Sequence, residues 1–127
     1  MNSKLSKLCL AAALGIFTII LSLDPGARIE KLTGTSYNYY VDLLQHSSWY
    51  FGLTILSSWI FNQVPAWRIA LLLFGLSVIL EIAQYFIPDR SFSPHDLVMN
   101  FTGVAAAFVA VSLTRHFRRQ QSRRIPV

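Results

Sequence analysis

The sequence predicts an all-α integral membrane protein: a polytopic four-helix transmembrane bundle with both termini in the cytoplasm. Three observations lead there. Hydrophobic residues make up 54% of the chain and charged ones only 13%, about half the charged share of a soluble domain. The apolar residues gather into four runs, each near the ~20 residues that a membrane helix needs. The basic residues fall on the alternating sides that the positive-inside rule requires. At 127 residues the chain is one domain by size. A soluble domain that small has no outer layer to hide four helices that are apolar on every face.

The first run, Leu8 to Leu23, carries no charge and follows Lys4 and Lys7. That pattern also fits a secretory signal, but no small-x-small cleavage site stands before Asp24, so an uncleaved first helix is expected. Cys9 is the only cysteine; it can form no internal disulfide and is expected as a small buried apolar residue. The second run, Ser47 to Trp67, is uncharged and ends in the short loop "FNQVPAWR". The third, Ile69 to Leu80, resumes its apolar character after Glu81 and reaches Ile87, where Pro88 disfavours continuation. The fourth, Leu97 to Thr114, opens with "SPHD". Ser93 suits its N-cap, Pro94 its first position, and Asp96 the third position of a capping box.

Charge sets the orientation. The net +5 equals the five arginines Arg115, Arg118, Arg119, Arg123 and Arg124, and the remaining six basic residues balance six acidic ones. A basic tail directly behind an apolar helix points to cytoplasmic retention, not to nucleic acid. Lys4 and Lys7 place the N-terminus on the same side, and four crossings satisfy both ends. Residues 8–113 then form the membrane domain and 114–127 a basic cytoplasmic tail. Arg68 lies in the inner loop, while the outer segments around 24–45 and 88–96 are each net negative by one charge. Trp49, Tyr50, Trp59 and Trp67 lie near expected helix ends, where amphipathic rings prefer the interface. Tyr37, Tyr39 and Tyr40 are expected on the outer surface.

The outer side also collects polar residues that such a chain cannot expose to lipid. Glu81 and Gln84 share one face of the third helix. Glu81 lies about 9 Å below Ile87 at ~1.5 Å per residue, so its carboxylate should face the bundle. Asp96, Asn100 and Gly103 form one stripe on the fourth helix, and Gly103 allows a close neighbour. Asn100 by itself fits helix-packing glue. Asp42 and His46 are four apart at the mouth of the second helix. His95, Asp89 and Ser91 need no role beyond loop solvation. Asp42, His46, Glu81 and Asp96 could ligate a divalent metal or act as acid and base around a water, but no specific metal motif such as HExxH is present. No metal is therefore assigned, and no cofactor is named. Arg90 suits phosphate or carboxylate through its fork geometry, or a clamp on Glu81.

These residues together resemble the VanZ-like membrane proteins. Members typically carry Asp-Lys-x-x-His at the opening of a membrane helix, then a pattern close to Glu-x-x-Gln, an Arg, and Asp-x-x-x-Asn-x-x-Gly. Asp42 and His46 match the first motif; Glu81, Gln84, Arg90, Asp96, Asn100 and Gly103 match the second in order and spacing. Leu43 stands where many members have Lys, and Ala107 where a second Gly commonly follows Gly103. The resemblance implies an integral protein of the cell envelope and no particular reaction.

The site residues are accordingly Asp42, His46, Glu81 and Asp96 for catalysis and Gln84, Arg90, Asn100 and Gly103 for substrate binding. The expected location is the bacterial cytoplasmic membrane, and the expected partners are membrane lipids or lipid-linked envelope intermediates. A second copy of the chain or another membrane protein stays open as a partner. The leading expectation is an anionic envelope substrate held at the outer cluster, by an enzyme or by a binder. The other is a non-catalytic scaffold whose polar cluster is structural. Transport is disfavoured, because four short helices leave little room for an internal repeat.

Overall fold

The computed structural model describes residues 3–23, 39–88 and 91–124. It is all-α among those residues, with four helices: α1 Ser3–Leu23, α2 Tyr39–Ile60, α3 Ala66–Gln84 and α4 Pro94–Arg124. Two of them, α3 and α4, are long and apolar enough to cross a membrane.

Burial differs from that of a soluble domain: buried polar residues share the interior with the apolar core, and large apolar side chains cover the outside. The buried set includes Thr18, Thr54, Ser58, Ser77, Glu81, Gln84 and Asn100. Large apolar side chains on every helix are exposed, among them Ile20, Phe51, Leu72, Ile79, Phe101 and Val109. Such a surface is stable only against an apolar surrounding. Cys9, expected inside, is also exposed; a small apolar side chain has no reason to hide where the surroundings are themselves apolar.

The hydroxyls in the interior are mostly satisfied within their own helices. Thr18 donates to the Leu14 carbonyl at 2.8 Å, Thr54 to Tyr50 at 2.7 Å, and Ser77 to Phe74 at 2.8 Å. Back-bonding of this kind hides the polar atom and leaves a side chain the size of a small apolar one facing its neighbours.

The main contact is α2 against α4, which run parallel because α3 lies between them in the chain. Tyr50, Leu53 and Val104 form its core, with Leu14, Trp49, Ala70, Leu73 and Phe74 packed around it. Gly103 lets the two backbones meet: a Cβ there would overlap the Ser47 carbonyl oxygen and stand 3.1 Å from the Phe51 nitrogen. Ala107, one turn on, is fully buried, so the pair has the small-xxx-small spacing common to close membrane helices. Trp49 differs from expectation. Helix α2 begins at Tyr39, so Trp49 lies well inside it, half-buried and packed on Phe17 with ring centroids 5.4 Å apart.

Both ends of α3 show why it stops. Pro65 precedes its first turn, where a missing N–H is harmless. At the other end, Tyr85, Phe86 and Ile87 donate to Ile82, Ala83 and Gln84 in succession. These i→i+3 bonds tighten the chain into a turn before Pro88. The helix therefore ends at Gln84, three residues earlier than the apolar run suggests. At the far end of the chain, α4 continues to Arg124 and carries much of the basic stretch as helix.

Candidate functional site

Three helices bring polar side chains to the end of the bundle where α2 and α4 begin and α3 ends. From α2, His46 Nδ1–H donates to Asn100 Oδ1 of α4 at 3.1 Å. A carbonyl oxygen only accepts, so this bond puts the ring hydrogen on Nδ1 and turns Nε2 the other way. That second nitrogen lies 3.9 Å from Asp96 Oδ2. From α3, Glu81 is 1% exposed and its Oε2 accepts the backbone N–H of Ser93 at 3.2 Å. Donor atoms of His46, Glu81 and Asp96 all lie within 4.8 Å of one another.

The start of α4 modifies the expected capping box. Ser93 is its N-cap, with Oγ accepting the Asp96 N–H at 3.3 Å. The reciprocal half would have Asp96 reach back to the Ser93 N–H. Glu81 takes that N–H instead, from a different helix. Asp96 is thereby turned toward His46, with its side chain only 13% exposed. Its negative charge also sits in the first turn of α4, where the helix dipole favours it.

The structure thus brings together His46, Glu81, Asp96 and Asn100. Gln84 is buried on the same face of α3 as Glu81. Gly103 lies one turn below Asn100 against α2, where it sets how closely the two helices approach. His95 and Ser91 are exposed. The Asp42 side chain, with Asp89 and Arg90, lies outside the described residues. Two clefts open elsewhere. One, of about 340 Å³, lies between α1 and the end of α2, lined by Ser6, Lys7, Leu10, Trp59, Ile60 and Asn62. The other, about 320 Å³ and apolar, runs between α3 and α4.

Residues 8–115 match the VanZ/LLP1 family. The chain belongs to that family. No curated protein and no solved structure matches it. Family membership and the apolar helices together make the chain a membrane protein.

One feature of this family member was not read from its sequence. Arg115 donates from Nη1 to the Val64 carbonyl at 2.7 Å and from Nη2 to the Ser58 carbonyl at 2.8 Å. It caps the end of α2 and holds the turn that follows. Its charge drew attention to topology, but its register carried the other message. Arg115 lies eight residues, a little over two turns, beyond buried Ala107 and so on the same face of α4.

Proposed function

We propose that this VanZ/LLP1 member is a four-span protein of the bacterial cytoplasmic membrane with both termini inside. In this reading residues 8–113 form the membrane domain, and 114–127 the basic cytoplasmic tail. The polar cluster at the outer end binds or acts on an anionic envelope substrate: a lipid-linked glycan, a phospholipid or a cell-wall intermediate. The observation that carries this is the convergence of His46, Glu81, Asp96 and Asn100 from three helices at one end of the bundle. Buried ionisable groups in a membrane protein are costly and tend to mark function. Arg90, in the connection between α3 and α4, supplies the cation for a phosphate or carboxylate. An enzyme would use His46, oriented through Nδ1, or Asp96 to move a proton, with Asp42 on the same face of α2. A binder would use the same groups without chemistry.

The test is binding of anionic phospholipid and of a lipid-linked glycan diphosphate to the purified chain in neutral-lipid nanodiscs. Wild type should bind at least one of them, and Arg90→Ala should weaken that binding at least tenfold. Equal binding by the variant sinks the anionic-substrate reading.

A second reading is a structural one, in which the cluster ties helices for a scaffold. The interhelical bonds His46–Asn100 and Ser93–Glu81 favour it. Glu81→Gln would then fail to accumulate, whereas normal accumulation with loss of ligand binding would argue against a scaffold.

A further inference from the structure

We infer that His46, Glu81 and Asp96 form a binding site for one first-row divalent cation of the Zn²⁺ or Mn²⁺ kind. The geometry of His46 comes first. Its Nδ1–H is committed to Asn100 Oδ1, so in the neutral ring the Nε2 lone pair points toward the Asp96 carboxylate, 3.9 Å from Oδ2. A proton on Nε2 would make this contact an ion pair, and a divalent cation in place of that proton would bridge the same two atoms. A metal ligand histidine has this arrangement: one nitrogen on the ion, the other fixed by a hydrogen bond to an oxygen acceptor. Here the acceptor, Asn100, is itself buried and so holds the ring in place.

The distances suit an ion. Nitrogen and oxygen ligands lie about 2.0–2.2 Å from zinc, which puts donor atoms about 3–4 Å apart. The three donors already lie within 4.8 Å of one another, so side-chain adjustments of about 1–2 Å bring them onto one ion, with a fourth position left for water. Each comes from a different helix, and their own backbones hold them there. One imidazole and two carboxylates favour zinc or manganese over magnesium or calcium, which take oxygen alone. With both carboxylates ionised and the imidazole neutral, as all three must be to ligate a metal, the ligand set carries −2, which a divalent ion cancels. The ion would also give an otherwise acidic cluster a positive face for phosphate. That last role rests on the anionic-substrate reading; binding of the ion does not.

The purified full chain, stripped with chelator and dialysed, is titrated with Zn²⁺ and with Mn²⁺, and the bound metal per chain is measured. Wild type should bind one equivalent. His46→Gln and Asp96→Asn, both close in size, should weaken binding at least tenfold. His116→Gln, an exposed histidine on the far part of α4, should leave it unchanged. Folding of each variant is checked by helicity and monodispersity, and either folded variant suffices to decide. Failure of wild type to bind either ion, or undiminished binding in the folded variants, overturns the inference. Binding of anionic lipid in nanodiscs is then compared with and without chelator. Lipid binding without metal binding would overturn the cation site and leave the substrate reading standing. Metal binding without lipid binding would do the reverse.

Discussion

Replacing Gly103 with alanine tests the packing that supports the site. A Cβ there would overlap the Ser47 carbonyl oxygen, with the Ser47 carbonyl carbon at 3.0 Å and the Phe51 nitrogen at 3.1 Å. All three are backbone atoms, so no rotamer change relieves the overlap. The α2 and α4 backbones must part by about 1 Å to restore ordinary contact. Overpacking of this kind costs ~1–3 kcal/mol. The His46–Asn100 bond lies one turn away on the same helix pair and is 3.1 Å long, so the same displacement takes it beyond hydrogen-bonding distance. Gly75→Ala is the matched control, because nothing lies within 4 Å of its Cβ and it reports helix propensity alone. Thermal or SDS-induced unfolding of the purified protein, followed by tryptophan fluorescence, should place Gly103→Ala ~1–3 kcal/mol below Gly75→Ala. Equal stability of the two variants would refute the close approach of α2 and α4.

Arg115→Gln removes two charge-assisted bonds to backbone carbonyls at the end of α2; each is worth ~1.5–3 kcal/mol, so a clear drop in unfolding midpoint is expected. Arg115→Lys should restore only part of it, because an ammonium lacks the fork that reaches both carbonyls. Ser93→Ala removes the acceptor for the Asp96 N–H and should cost ~1 kcal/mol in the same assay. Thr54→Val should change stability by less than ~1 kcal/mol, because the Thr54 hydroxyl bonds only within its own helix.

The residues that converge at the site were legible because each violates its surroundings. Glu81, Gln84 and Asn100 interrupt apolar runs, and helical spacing assigns each a face. What spacing does not supply is how the faces meet. Asp96 satisfies the pattern of a capping box, and only the neighbouring helix reveals that Glu81 performs the reciprocal half. Trp49 stands near the start of an uncharged run, but α2 begins eight residues before that run, at Tyr39. Polar residues such as Asp42 and Gln45 can be helical, so an apolar stretch understates the helix that contains it. Arg115 was hidden for the converse reason: one arginine in a basic stretch looks like the others until the face it occupies is traced.

The parallel pair α2 and α4 is joined at both ends, by His46 to Asn100 at one and by Arg115 to Ser58 and Val64 at the other. Along α4 these fastenings are fifteen residues apart, about 22 Å at ~1.5 Å per residue. Two helices fixed at two such distant points can neither slide lengthwise nor swivel about a single contact. His46, Asp96 and Asn100 thus belong to one rigid frame. Helix α3 reaches that frame through the Glu81 carboxylate on the Ser93 N–H. Glu81 is the member of the cluster that these two fastenings do not hold directly; the packing of α3 against the α2–α4 core keeps it in place.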